Sequence, residues 1–331
     1  MLSFIVIGKN EGWKLTKCFE SIFKAVEYND LKDYEIIYID SKSTDDSIER
    51  AKKFVGIKIY QITGKCNAAI SRNIGAKESK GDVLFFIDGD MEIMAGFLEK
   101  VIGVDGNLKY ECVSGHLDDL FYDTDGNCLK KCSRTYKGIL PRRKKVVITN
   151  GGIFLIKKPS WEIVNGMKTK YVRNEDIDLI LRLCKAGIKT IRIPAIIALH
   201  YTVDYRNDKR MWKMLFSGSA SYPALIAREN FFNLQMLYKI LRSEYTSLIL
   251  FFCILSALIN IKYCFIVLIP YLSMLFLRVL MNTFQANTNN KWKLFYYIER
   301  LVYQVATDFI FSLAFLFFHP SEKELRYKKI I

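Results

Sequence analysis

The eight cysteines include no CxxC pair, and Cys128 and Cys132 are accompanied by no His or Cys pair at ligand spacing. A zinc ribbon or finger is thereby excluded, and the cysteines read as small buried hydrophobes of a reducing compartment. RNP and homeodomain-like patterns are missing too, as is any internal repeat. The opening stretch MLSFIVIGKNEG lacks a basic lead and a small-residue cleavage site, so it reads as a first strand rather than a signal peptide. Charge is scarce in three late stretches, residues 247–260, 263–280 and 305–318. What the chain does have is a 51% hydrophobic composition over 331 residues and a net charge of +15. That charge admits nucleic acid or an anionic membrane surface as partner. With an apolar C-terminal third and no nucleic-acid motif, a membrane is the expected partner and nucleic acid is not.

Up to about residue 241, apolar runs alternate with charged, glycine-containing turns. Residues 3–7, 34–39, 57–62 and 83–87 have strand character, each run followed by a polar turn and, after the first three, by a segment of helical periodicity. Residues 67–79 form one such helix, stopped at Lys80-Gly81. Repeated strand–helix units predict an α/β fold with a doubly wound, mainly parallel sheet. The rhythm loosens after Met91, and LDDLFYDTDGNCLKKCSRTYKGILPRRKK reads as a loop or small hairpin. Strand character returns at residues 151–156, NEDIDLILRLCKAG reads as an amphipathic helix, and residues 188–199 supply strands that end at His200.

The run Val83-Leu84-Phe85-Phe86-Ile87 is apolar throughout, as strands buried on both faces are, and Asp88-Gly89-Asp90 follows at its carboxyl end. Ligands bind at that edge of an open α/β sheet. Two carboxylates around a glycine suit a hard divalent cation that in turn holds a diphosphate, although Asp-Gly-Asp is also an ordinary turn. Asp40 ends the second strand and suits a nucleobase N–H or a ribose hydroxyl; Ser43, Thr44 and Asp45 behind it suit helix capping. Lys9, Asn10 and Glu11 follow the first strand. Arg72 lies in the first turns of its helix, where guanidinium and dipole can both face phosphate, or where it is a solvated charge. Glu175 and Asp176 open another helix and suit either capping or chemistry. His200 suits either a metal or a core position, and the run Arg142-Arg143-Lys144-Lys145 either a lipid phosphate or solvent.

VIGKNEG, IDSKSTDDS, NAAISRNIGAKESKGDVLFFIDGD and the later NGM and NEDIDLILRL, taken in order, resemble the family 2 glycosyltransferases of GT-A fold. The resemblance covers about residues 3–200. It implies transfer of a sugar from a nucleotide-sugar donor to an acceptor hydroxyl with inversion, using Mn²⁺ or Mg²⁺. Carried over position by position, it implies nucleoside binding by Asn10, Glu11 and Asp40, and donor binding by Arg72, Asn73 and Asp88. Asp88 and Asp90 become metal ligands with His200 as a further one. Asp176 becomes the catalytic base and Glu175 an acceptor-binding residue. The chain departs from close relatives in having Tyr171-Val172-Arg173-Asn174 where they carry an aromatic Trp-Gly run, so acceptor identity does not carry over. A QxxRW motif of processive synthases is missing.

The predicted division is a catalytic domain over residues 1–240 and a membrane-associated helical region over residues 241–331. The latter holds a hairpin at 246–281 and a re-entrant or interfacial segment at 300–318, because Asp308 and a basic tail argue against a third crossing. The expected protein is thus a non-processive transferase of a cell-surface glycan or glycolipid, attached to a bacterial inner membrane with its catalytic domain in the cytoplasm. A polyprenyl-phosphate sugar transferase and a non-catalytic membrane scaffold are the alternatives. The donor motifs all precede His200, so the C-terminal third is expected to set location and not chemistry.

Overall fold

The computed structural model describes residues 1–122, 127–202, 208–285 and 294–331. Residues 123–126 of the expected loop and Lys291 and Lys293 beside the expected hairpin lie outside them. The chain forms two compact units, Met1–Asp204 together with Ser321–Ile331, and Tyr205–Pro320.

The first unit is built on strands β1 (Leu2–Gly8), β2 (Tyr34–Asp40), β3 (Ile57–Ile62), β4 (Val83–Asp88), β5 (Met91–Ile93), β6 (Cys112–Tyr122), β7 (Cys128–Ser133), β8 (Lys145–Val146), β9 (Phe154–Lys157), β10 (Thr190–Thr202) and β11 (Tyr327–Lys329). Its helices are α1 (Trp13–Tyr28), α2 (Ser47–Lys52), α3 (Ala68–Glu78), α4 (Leu98–Val101), α5 (Lys158–Ile163) and α6 (Glu175–Lys185). The strands form one sheet in the order β11-β3-β2-β1-β4-β9-β6-β10-β5, with β7 on β6 and β8 on β10. Pairing is parallel across β3, β2, β1 and β4, and again between β6 and β10. β5, β7, β8, β9 and β11 all join antiparallel, so the crossover half is parallel as expected and the far half is mixed. The loop predicted after Met91 is in part a hairpin, with Asp118 to Tyr122 of β6 facing Ser133 to Cys128 of β7.

Alternation along the central strands explains why both faces are covered. Phe4, Val6, Phe85 and Ile87 point to one side, where Leu15, Cys18, Phe19 and Ile22 of α1 cover them. Ile5, Ile7, Leu84 and Phe86 point to the other, against Ile70 and Ile74 of α3, Trp161 of α5, and Leu179 and Leu183 of α6. Burying a large apolar side chain contributes about 1.5–3 kcal/mol, so the two layers fix the register of the strands that carry polar ends. Gly75 lets α3 approach closely: a Cβ there would lie 2.1 Å from Cγ2 of Ile5. Register then sets Asp40 beside Gly8 and Asp88 beside Ile7, bringing three strand ends to one edge.

The second unit comprises α7 (Asp208–Phe216), α8 (Tyr222–Glu229), α9 (Leu234–Ser243), α10 (Tyr245–Ile259), α11 (Ile261–Gln285) and α12 (Leu294–Phe317). Among the described residues two helical stretches, Ile261–Thr283 and Leu294–Phe317, are long and apolar enough to cross a membrane. α9 and α10, bent by 90° at their junction, would make a third only if counted as one broken span. The stretch expected to be re-entrant or interfacial, residues 300–318, lies mostly in a continuous helix of 24 residues. Asp308, the reason for doubting a span, is fully buried and accepts hydrogen bonds from Ser247 (2.7 Å), Gln304 (2.8 Å), Thr246 (3.1 Å) and Tyr271 (3.3 Å). Its oxygens are satisfied within the helical unit and do not face outward, as is usual of polar groups in apolar helical bundles. Outward-facing Phe265, Ile266, Ile269, Phe276, Phe309 and Phe317 are exposed at a level a water-soluble helix rarely sustains.

Candidate active site

The loops after β1 and β2 lock together through polar side chains. Asn10, with a positive φ of 58°, accepts from the Thr44 backbone N–H at 2.8 Å, while its own N–H donates to Ser43 Oγ at 2.9 Å. The Ser47 hydroxyl accepts from the N–H groups of Glu11 and Gly12, both at 3.0 Å, and so holds the turn that leads into α1. Ser43 and Thr44 thus tie loop to loop instead of capping α2; Asp45 alone reaches that helix, accepting from Ser47 N–H at 3.1 Å. Asp40 is fully buried, and its carboxylate accepts from Ser43 N–H (3.0 Å), the Gln61 amide (3.1 Å) and the Tyr38 hydroxyl (3.2 Å). It braces the turn that presents Ser41 to the crevice.

Asn67 caps α3, accepting from Ile70 N–H at 2.8 Å, and its amide donates to the Thr169 carbonyl at 2.7 Å. Asn73, one turn and a half further on, grips the Met167 backbone in both directions, at 2.7 and 2.9 Å. Both asparagines hold the 166–169 strand of chain that leads to α6. Arg72 faces inward and not toward solvent: 1% exposed, its guanidinium donates to Asp88 Oδ1 at 2.7 Å, Glu175 Oε1 at 3.1 Å and the Gly152 carbonyl at 3.2 Å. A buried guanidinium requires such pairing, and its fixed fork joins two carboxylates that are 87 residues apart in sequence. Gly152, at φ 87°, makes room: a Cβ would lie 2.4 Å from Asp88 Oδ2.

Asp90 lies beyond this pair and faces His200 Nε2 at 3.4 Å. His200 is held from behind by Asp119, at 2.7 Å from its Nδ1, with Arg134 at 2.8 Å from the same nitrogen and paired to Asp119. Burial disfavours the imidazolium, but Asp119 and Asp90 outweigh it and lift His200 to about 9. Burial pushes Asp88 up to about 7, with Arg72 pulling against it and Asp90 and Glu175 adding to it. Glu11 is raised as well, by burial and then by Asp90. Carboxylates crowded in this way attract a cation. Among the described residues no cluster of three or more acidic, His or Cys side chains gathers as a metal cage. Asp88 and Asp90 nonetheless line one crevice, and carboxylate oxygens are the donors a hard divalent ion prefers. These two carboxylates are of the donor type that Mn²⁺ or Mg²⁺ accepts.

The two acids of α6 part company. Glu175 turns to Arg72, whereas Asp176 accepts from Thr149 Oγ1 at 2.6 Å and from Asn150 N–H at 3.3 Å and stays half-buried. Neither acid caps the helix through its side chain, since the N-cap is Asn174 in the left-handed region. A crevice of about 330 Å³ is lined by Lys9, Glu11, Ser41, Ser71, Asp88 and Asp90. Asp119, Arg134, Thr149 and Gly152 were not legible as site residues. The acidic pair Asp118-Asp119 inside a strand-like run was the available signal for the first, while the others depend on loops that only the fold brings in. The basic run over 142–145 stays at the surface, with Lys144 over the Tyr110 ring at 5.0 Å.

Residues 3–163 match the family described as Glycosyl transferase family 2. A Methanococcus voltae protein, a dolichyl N-acetyl-alpha-D-glucosaminyl phosphate 3-beta-D-2,3-diacetamido-2,3-dideoxy-beta-D-glucuronosyltransferase, is 27% identical over 288 residues, 78% of this chain and 86% of its own length. An uncharacterized glycosyltransferase of Haemophilus influenzae is 26% identical over 55% of this chain and 62% of its own. Among solved structures, GalNAc-T7 with UDP, GalNAc and Mn²⁺ superposes with a TM-score of 0.50 at 18% identity, over 62% of this chain and 44% of that one. This last likeness is one of fold, and it makes the first unit a GT-A domain.

Proposed function

Since the chain belongs to glycosyl transferase family 2, we propose that it moves a sugar, with inversion, from a nucleotide-sugar donor to a hydroxyl of a lipid-linked or glycan acceptor. The observation that carries this reading is the junction of Arg72, Asp88 and Glu175, because it ties the donor edge of the sheet to the helix that presents Asp176. Asp88, Asp90 and His200 would hold Mn²⁺ or Mg²⁺, which when bound supplies positive charge to a departing nucleoside diphosphate. Lys9, Glu11 and Ser41 line the donor side of the crevice. Asn10 and Asp40 shape that side by holding its loops, Asn73 by holding the chain that leads into α6.

Asp176 is the group assigned to the acceptor proton. The Thr149 hydroxyl and the Asn150 N–H fix one oxygen of its carboxylate and leave the other to face an acceptor. A base so oriented takes the proton as the acceptor oxygen attacks the anomeric carbon. Glu175 acts by positioning, since its charge is balanced by Arg72. The 27% identity to an enzyme named for a dolichyl-phosphate-linked sugar favours a lipid-linked acceptor. The decisive experiment incubates the full chain in detergent with Mn²⁺, lipid-linked acceptors and a panel of nucleotide-sugars, and measures release of nucleoside diphosphate; no release from any donor would overturn the reading.

We assign the helical unit to a membrane, with an even number of crossings. β11 pairs with β3 in the sheet that also holds β1, so residues before 204 and after 321 share one side whatever lies between. The division expected at residue 241 remains a proposal about location, with the tail 321–331 counted with the catalytic unit.

A further inference from the structure

The strongest unassigned feature is a cavity of about 860 Å³ beside the donor crevice, sharing Lys9 and Cys66 with it. One wall comes from the turns after β1, β2 and β3, carrying Lys9, Lys42 and Lys65. The other comes from the far end of the chain, where Lys323 and Arg326 stand just before β11. The tail is built into place. Glu322 accepts from Thr169 Oγ1 (2.7 Å) and Lys170 N–H (3.0 Å), and the Arg326 carbonyl accepts from Thr63 N–H (2.8 Å). A Cβ on Gly64 would lie 3.1 Å from Cβ of Arg326, so a glycine lets the two backbones meet.

The charges lining this cavity do not cancel. Five cations, Lys9, Lys42, Lys65, Lys323 and Arg326, face two carboxylates, Glu322, which bonds Thr169 and Lys170 and acts on Lys323, and Glu324, which pairs with Arg326 at 2.6 Å. Four lysines then surround one space, and burial together with Lys65 pushes the Lys323 ammonium below its ordinary range. Crowded like charges of this kind are relieved by an anion, and lysine binds phosphate as a point charge. The cavity adjoins the crevice at Lys9 and Cys66, which line both. We propose that the C-terminal tail completes the donor site, with Lys323 and Lys65 as binding residues for the phosphates of the nucleoside diphosphate. The proposal rests on the donor-site reading above and adds to it a wall contributed by residues that follow the helical unit.

Full-length protein in detergent with Mn²⁺ is titrated with UDP, GDP and the corresponding phosphate-free nucleosides. Lys323→Ala is the informative variant, because the tail is held through the Lys323 backbone N–H on Thr169 and not through its side chain. An unchanged Tm verifies that the tail stays docked. The expected result is about tenfold weaker diphosphate binding with a shallower salt dependence, unchanged nucleoside binding, further weakening in Lys65→Ala/Lys323→Ala, and recovery in Lys323→Arg. Diphosphate binding equal to wild type in the double variant overturns the tail's role while leaving the donor site standing. Equal loss for diphosphate and nucleoside also overturns it. If the wild-type chain binds neither diphosphate, both this inference and the donor-site reading fail.

Discussion

Arg72 Nη2 lies 2.7 Å from Asp88 Oδ1, inside the protein and one strand end away from Gly8. The same guanidinium reaches Glu175, so a residue that a sequence places on a helix surface is the post between donor edge and acceptor helix. Removing one member of a buried ionic cluster leaves an uncompensated charge and costs about 3–5 kcal/mol. Arg72→Ala is therefore expected to lower Tm by on the order of 10 °C. A scan within two degrees of wild type would show that the cluster has no structural weight.

Asp176→Asn should remove transfer and little else. Loss of a general base typically reduces rate by on the order of 10² to 10⁴. The asparagine keeps an oxygen for Thr149, so donor affinity and Tm should stay near wild type. Parallel kinetics on Glu175→Gln decide between the neighbours: near wild-type turnover in Asp176→Asn with collapse in Glu175→Gln would name the other carboxylate.

Asp90→Asn is expected to weaken metal-dependent donor binding with the fold intact. Calorimetry of nucleotide-sugar binding with and without Mn²⁺ reads the effect, and metal dependence identical to wild type would remove Asp90 from the site.

Gly152→Ala tests how closely the chain must approach Asp88. A methyl group 2.4 Å from Oδ2 must displace the carboxylate, and the positive φ adds strain. Donor affinity should fall at least tenfold, whereas the neighbouring Gly151→Ala, at 3.3 Å from a Leu117 methyl, should spare Asp88. Equal effects of the two substitutions would argue for general backbone strain alone.

Even crossing number has its own test. An epitope inserted at the exposed Asp105-Gly106 turn and a second appended after Ile331 should be accessible from the same face of sealed vesicles. Opposite accessibility would contradict the shared sheet.

Much of the architecture was written in local patterns. The apolar runs that became β1, β2, β3 and β4 are short, bounded by polar turns, and buried on both faces. Asn67 already carried the cap of α3. The order of strand ends with acids at Asp40, Asp88 and Asp90 follows from the same pattern, because a period-two strand fixes where its last side chains emerge. Three late apolar segments, likewise, are a property of composition. What the chain could not disclose locally are the partners that acids and bases choose across long separations. For Arg72, Asp40 and Asn73 the sequence suggested a ligand and named no protein partner; the fold gives each one, since a desolvated polar group is stable only when paired. Asp119 and Arg134 behind His200 depend on the register between β6 and β10, and β11 depends on a return across more than 250 residues. Such contacts are set by packing and loop closure, whose energies belong to the whole fold and leave no mark in the nearby sequence.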